Sequence, residues 1–138
     1  MIKMSTEQYK AMRKNTNKQS KYRNKRAERV LENGKTLKFD SLKEAVRYDE
    51  LMLLLKAGEI IQLRLQPEFT LQEGYVTPQG EKVKPIKYKA DFSYVVEDGN
   101  IFTEYKTVVE DVKGMKTKEY CIKYKLFLEK YGFSITEI

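Results

Sequence analysis

Apolar residues recur along this chain with two different periods, and the change of period marks out its elements. Between residues 42 and 55, Leu42, Ala45, Val46, Leu51, Met52, Leu54 and Leu55 fall on one side of a helical repeat. Ser41 with Glu44 three residues on forms a capping-box pattern, and Gly58 supplies a stop, so a helix is predicted over about 41–57. Before it, Asn33-Gly34 between the apolar runs Val30-Leu31 and Leu37-Phe39 predicts a hairpin with a type I′ turn.

After Gly58 the period shortens to two. Ile61, Leu63 and Leu65, then Phe69 and Leu71, predict one or two strands bent at Gln66-Pro67. Gln66 fits either a phosphate contact or a cap on that bend. A turn-rich stretch, residues 73–80, leads to a strand over 83–96, with Ile86, Tyr88, Ala90, Phe92 and Tyr94 on one face and Lys87, Lys89, Asp91 and Ser93 on the other. Glu97-Asp98-Gly99-Asn100 reads as a turn and residues 101–113 as a long strand. Helical spacing returns from a Thr117 cap to Tyr131, with Cys121, Tyr124, Leu128 and Tyr131 as its stripe, widened by Ile122 and Phe127. Gly132 ends that helix, and residues 133–138 read as a last strand. The expected organisation is a basic mobile arm, residues 1–27, ahead of one α/β domain, residues 28–138.

Composition narrows the chemistry. With no histidine and one cysteine, Cys121, the chain has neither a disulfide framework nor a Cys/His zinc site nor a His-based nucleophilic triad. Carboxylates, lysines, tyrosines and a bound metal are what remains. The longest apolar run, residues 51–55, is far short of a bilayer span. The lysine-bearing start has no apolar stretch or cleavage site of the secretory kind, so a cytoplasmic chain that avoids membranes is expected. Charge is uneven: residues 1–30 hold ten Lys/Arg against two Glu, whereas the remainder holds seventeen against eighteen acidic residues. A basic arm on a near-neutral domain suits nucleic acid, with Lys21, Arg23, Lys25 and Arg26 in the arm and Lys116, Lys118 and Lys123 near the second helix as backbone contacts.

The chemistry concentrates in Asp91 and in Glu110-Asp111-Val112-Lys113-Gly114. Strands disfavour aspartate, so Asp91 between Ala90 and Phe92 stands out. Alternation points Asp111 and Lys113 the same way and Glu110 the other. Two carboxylates with the Val112 carbonyl suit magnesium or manganese, and a lysine beside them suits a water or phosphate oxygen. Glu44 would add a third carboxylate if its helix crosses that face; it also fits as the third member of its capping box.

These residues resemble the signature of the PD-(D/E)XK, or restriction-endonuclease-like, superfamily: Glu44 on a helix, Asp91 on a strand, then Asp111-Val112-Lys113 on the next. The ordered set Phe39-Asp40-Ser41, Glu44-Ala45, Ala57-Gly58-Glu59-Ile60, Leu65-Gln66-Pro67, Lys89-Ala90-Asp91-Phe92, Val109 to Gly114 and Lys125-Leu126-Phe127 is similar to a family of small phage-encoded nuclease-like proteins within it. The resemblance implies an α-β-β-β-α-β core with a central mixed sheet, and Mg2+- or Mn2+-dependent DNA endonuclease activity in the host cytoplasm. Archaeal Holliday junction resolvases share that core, which implies branched DNA as a substrate. A cut on both strands suits a two-fold homodimer.

One register question stays open at this level. A tight turn at Glu97–Asn100 pairs Val96 with Ile101 and sets Asp91 opposite Lys106, making Glu104-Tyr105-Lys106 a competing E-x-K. A longer hairpin tip with a bulge near Lys106-Thr107 keeps Asp111 and Lys113, and the Glu-Asp-Val-Lys-Gly setting favours that pair. A DNA-binding or packaging accessory protein without turnover, and an RNA nuclease, are the alternative functions.

Overall fold

The computed structural model describes Glu7, residues 27–113 and residues 115–138. Lys21, Arg23, Lys25 and Arg26 of the basic arm lie outside the described residues. The chain divides into two compact units, Met1–Ala45 and Val46–Ile138.

In the first unit, β1 (Ala27–Val30) and β2 (Thr36–Phe39) pair antiparallel, with Val30 against Thr36. The hairpin is the predicted one, but its turn is not type I′. Gly34 takes positive φ, at 82°, and Asn33 does not. Leu31 N–H donates to the Lys35 carbonyl at 2.8 Å, and Gly34 N–H donates to the Leu31 carbonyl at 2.9 Å. The Asn33 side-chain oxygen accepts the Lys35 N–H at 3.0 Å, which suits a longer loop with glycine alone in the left-handed position. The first helix, α1 (Leu42–Lys56), begins in this unit, where Ser41 Oγ accepts the Glu44 N–H at 3.2 Å as the capping box requires. Its buried positions are Ala45, Tyr48 and Leu51, while Leu42 and Val46 of the predicted stripe are exposed. Tyr48, which is not part of the predicted stripe, is buried here.

The second unit is built on a four-stranded mixed sheet. Its strands β3 (Ile61–Leu65), β8 (Phe92–Asn100) and β9 (Thr103–Asp111) are antiparallel neighbours, and β10 (Thr136–Glu137) joins β9 in parallel, giving the order β10-β9-β8-β3. Between β3 and β8 the chain makes two ribbons: β4 (Glu68–Gln72) with β7 (Ile86–Lys89), and β5 (Tyr75–Val76) with β6 (Lys82–Val83). The single strand predicted over 83–96 is thus three. The cause is a change of partner: Tyr88 still pairs with Phe69 of β4, whereas Phe92 already pairs with Glu110 of β9 and Leu65 of β3. Ala90 and Asp91 make the handover.

The second helix, α2 (Lys118–Tyr131), runs from Thr117, whose Oγ1 accepts the Tyr120 N–H at 3.1 Å, to Gly132, which takes φ 77° and donates its N–H to the Leu128 carbonyl. Its buried stripe is Tyr120 and Phe127, with Tyr124 partly buried; Cys121, Ile122 and Leu128 of the predicted stripe are exposed. Tyr120 and Phe127 join Leu71, Tyr88, Ala90, Val109 and Ile135 in one core, and Phe127 meets Phe69 and Phe133 edge to face at 5.2 and 5.3 Å. Since Thr117 carries the cap, Thr117→Ala should lower stability by about 1 kcal/mol. Thermal unfolding reads this, and a Thr117→Ser variant melting with the alanine variant would remove the cap from the account. No described helix is long and apolar enough to cross a membrane.

Candidate active site

The last residues of β9 divide between the two faces of the sheet. Val109, Glu110 and Asp111 are all buried. Alternation sends Val109 and Asp111 toward α2, where Val109 packs in the core with Tyr120 and Phe127. Glu110 goes the other way.

On the α2 face, Asp91 occupies the handover between β7 and β8 and is held at three points. Its N–H donates to the Glu110 carbonyl at 3.1 Å, its carbonyl accepts the Gln66 N–H at 2.9 Å, and its Oδ2 accepts the Val112 N–H at 2.6 Å. Asp111 Oδ2 accepts the Tyr88 hydroxyl, and Asp111 Oδ1 lies 3.2 Å from Lys113 Nζ. That ammonium also sits 4.0 Å above the centre of the Tyr120 ring. The chain end secures the segment from outside: Ile138 N–H donates to the Asp111 carbonyl at 3.0 Å, and Lys113 N–H donates to the Ile138 carbonyl at 3.3 Å. Burial, and then the hydrogen bond to Asp111, raise the Tyr88 phenol well above the ordinary tyrosine range. Tyr88 therefore stays a hydrogen-bond donor to Asp111 at physiological pH.

The β8–β9 register answers the question left open by sequence. Val96 pairs with Lys106 and Phe92 with Glu110, where the regular pairing ends; Asp91, the residue before, donates its N–H to the Glu110 carbonyl and accepts the Val112 N–H, which ties it to the Asp111 end of β9. The strands run on past the expected turn, and the tip falls at Ile101-Phe102, where Asn100 Oδ1 accepts the Phe102 N–H at 3.0 Å. The irregularity lies between Glu97 and Asn100, not near Lys106-Thr107. Glu104 lies at the distal end of the hairpin, so Glu104 and Lys106 are not brought to Asp91.

The second unit thus brings together Asp91, Asp111, Val112 and Lys113. Glu44 belongs to the first unit, at the start of α1. Of the lysines expected near α2, Lys116 Nζ lies 2.7 Å from Glu137 and Lys123 Nζ 3.1 Å from Glu119, while Lys118 is exposed. The hydrogen bond to Glu137 raises Lys116 above the ordinary lysine value. Two of the three cations are therefore already matched with carboxylates.

The opposite face holds a polar cluster that sequence reading missed. Glu110 is completely buried. Arg47 of α1 grips it with two donors: Nε to Oε2 at 2.9 Å and Nη2 to Oε1. Tyr94 donates its hydroxyl to Oε1 at 2.6 Å, and Arg47 Nη1 reaches Glu50 at 2.8 Å. The available signal was an acidic residue next to Asp111 with a tyrosine on the adjoining strand; nothing in the spacing named Arg47 as their partner. The hydrogen bond to Glu110 raises Arg47 above the ordinary arginine value. Tyr94 is pushed up to about 12, first by burial and then by its bond to Glu110.

That shift has a pH consequence. Below pH about 10 both folded and unfolded chains keep the Tyr94 proton, so its contribution is whole; between pH about 10 and 12 the unfolded chain releases it first and stability falls. Denaturant unfolding across that window should therefore weaken, and Tyr94→Phe should flatten part of the slope. An unchanged slope in the variant would shift the effect to the other buried tyrosines.

The donors on the α2 face are all oxygen, the kind that magnesium and manganese take, so their chemistry fits such an ion. The fit is of two carboxylates and a carbonyl, since among the described residues no group of three His, Cys, Asp or Glu side chains that could hold a metal is present.

Residues 19–135 match a family described as a protein of unknown function (DUF1064). No curated protein and no solved structure matches the chain.

Proposed function

The chain belongs to the DUF1064 family, and we propose that it is a metal-dependent DNA endonuclease of the PD-(D/E)XK kind. The observation that carries the reading is the meeting of Asp91 with the end of β9: its Oδ2 accepts the Val112 N–H at 2.6 Å, beside Asp111, whose Oδ1 lies 3.2 Å from Lys113 Nζ. The element order supports it as well. With the β4–β7 and β5–β6 ribbons set aside as an excursion, the chain runs α1, β3, β8, β9, α2, β10, the sequence of an α-β-β-β-α-β core, and its sheet is mixed.

Asp91, Asp111 and the Val112 carbonyl would hold magnesium or manganese. Such an ion, when bound, polarises a phosphate and acidifies a bound water. The chain's own residues do the rest. The Val112 N–H fixes the Asp91 carboxylate, and the Tyr88 hydroxyl fixes that of Asp111. Lys113, steadied over Tyr120, orients the attacking water and offers its charge to the phosphate as negative charge builds. Water attacks phosphorus, the phosphorus–oxygen bond to the leaving nucleotide breaks, and no covalent enzyme intermediate forms. Lys118 and the basic arm would contact the DNA backbone without reading sequence.

One observation favours a second reading. Both oxygens of Asp111 are engaged, by Tyr88 and by Lys113, as they would be in a DNA-binding accessory protein without turnover. Cleavage assays separate the two. Labelled linear duplex, single-stranded and four-way-junction DNA, with matching RNA, are incubated with Mg2+, Mn2+ or EDTA. The nuclease reading expects DNA cutting that EDTA abolishes. DNA binding indifferent to EDTA, with nothing cut under either ion, supports the accessory protein, and cutting confined to RNA moves the substrate.

A further inference from the structure

Among the described residues, Gln62 and Gln66 are the non-glycine residues with positive φ, at 54° and 50°. In that region Cβ crowds the following carbonyl, and glycine or asparagine is the usual occupant. Gln62 has a local explanation: it falls in the register irregularity of β3 against β8 between Ile61 and Arg64. Gln66 has none of that kind, since it follows the last regular pair, Leu65 with Phe92. It also precedes Pro67, whose ring steers the preceding residue toward extended backbone. Its conformation is therefore disfavoured twice.

The kink accomplishes something definite for the backbone. Gln66 N–H donates to the Asp91 carbonyl at 2.9 Å, and the Pro67 carbonyl accepts the Ala90 N–H at 3.0 Å. The handover that presents Asp91 is gripped by these two bonds. A glycine at position 66 would make the same bond with less strain, so the backbone role does not explain a glutamine. The residue is exposed, and among the described residues its side-chain amide has no hydrogen-bond partner. Its chain neighbours Leu65 and Pro67, with Gln62 and Arg64, line an open cleft of about 540 Å3; Gln66 does not line the cleft itself but stands at its edge in the chain.

A strained side chain kept beside a functional aspartate, and unused by the protein itself, points outward. We propose that the Gln66 side-chain amide contacts nucleic acid, donating to a backbone phosphate next to the Asp91 site. The proposal rests on the nucleic-acid reading above and assigns to this residue a role in holding substrate.

Two variants test it against a purely structural role. Gln66→Gly relieves the backbone and removes the amide; Gln66→Glu keeps length and shape but replaces the donor with a negative charge. Binding of a labelled four-way junction is followed by fluorescence anisotropy in EDTA, with melting temperature and Mg2+-dependent cutting alongside. Gln66→Gly should melt at or above wild type yet bind about tenfold more weakly, as for one lost polar contact. Gln66→Glu should lose more, because its charge faces phosphate. Wild-type binding by Gln66→Glu overturns the proposal, as does a Gln66→Gly variant that binds like wild type. Wild-type protein that binds without cutting removes the nuclease reading while the binding comparison still decides Gln66; wild-type protein that binds no nucleic acid overturns both.

Discussion

Asp111→Asn and Asp91→Asn should each abolish Mg2+-dependent DNA cutting, a loss of about a thousandfold or more, while Glu104→Ala cuts at the wild-type rate. The size follows from what a carboxylate does for a bound divalent ion: it supplies the charge that keeps the ion where the phosphate needs it, and several kcal/mol of transition-state stabilisation depend on that. Asparagine is the better first substitution. Asp111 is 4% exposed and accepts the Tyr88 hydroxyl, so alanine would leave a buried phenol without its acceptor, costing about 1–3 kcal/mol in stability. An inactive alanine variant would then confuse folding with chemistry. Asparagine keeps an oxygen for Tyr88 and removes the charge. For Asp91 the amide oxygen likewise keeps an acceptor for the Val112 N–H. Glu104→Ala is the register control, because the hairpin carries Glu104 to its distal end, where Tyr105 pairs with Glu97. Cleavage that survives Asp111→Asn but vanishes in Glu104→Ala would place the chemistry at the wrong end of the hairpin and end this account of the site. Lys113→Met, which keeps the stem over Tyr120 and removes the charge, should slow cutting about a hundredfold with binding little changed.

What sequence reading could reach, and what it could not, follows from the range of each interaction. The caps were legible because capping is local: Ser41 and Thr117 accept N–H groups three residues away, and Gly132 adopts the left-handed turn its missing side chain permits. That Asp111 and Lys113 share a face was legible because alternation along a strand is also local. The helix stripes were misread where a tyrosine was the core residue. Tyr48 and Tyr120 bury their rings, and Tyr120 keeps its hydroxyl on Glu137 at 3.0 Å, so a hydropathy pattern gives them too little weight. The hairpin register was open because Asp98-Gly99 is a turn signal that the strands override. Gly99 does take φ 67°, but within β8, as part of the irregularity near the tip rather than as the turn. The split of the 83–96 strand and the Arg47–Glu110 pair depend on partners 23 and 63 residues away, Pro67 for Ala90 and Arg47 for Glu110, and no local pattern carries them.

Breaking the Arg47–Glu110 pair should be the most destabilising polar change in the second unit, and the two halves should not cost the same. Glu110 has a side chain 1% exposed, whereas that of Arg47 is 20% exposed and keeps Glu50 at 2.8 Å. Arg47→Met leaves a buried carboxylate with Tyr94 as its remaining donor, a situation that costs about 3–5 kcal/mol. Glu110→Gln leaves Arg47 with Glu50 and partial access to water, and its amide oxygen still accepts from Tyr94 or Arg47, so about 1–2 kcal/mol is the expected loss. Removing both charges together, Arg47→Met with Glu110→Gln, should recover part of the Arg47→Met loss, because no uncompensated charge stays buried. Denaturant unfolding of the three variants measures each term and the coupling between them. A Glu110→Gln loss larger than that of Arg47→Met would contradict the burial asymmetry, and a double variant no more stable than Arg47→Met would show that the pair is not coupled. The same cluster bears on the site from behind the sheet. Glu110 precedes Asp111 in the strand, and its carbonyl accepts the Asp91 N–H at 3.1 Å. A Glu110 side chain that loses its anchor therefore loosens the backbone to which both carboxylates are tied. Cutting by Glu110→Gln should fall by about tenfold, far less than in Asp111→Asn, as befits a residue that positions the site without touching its substrate.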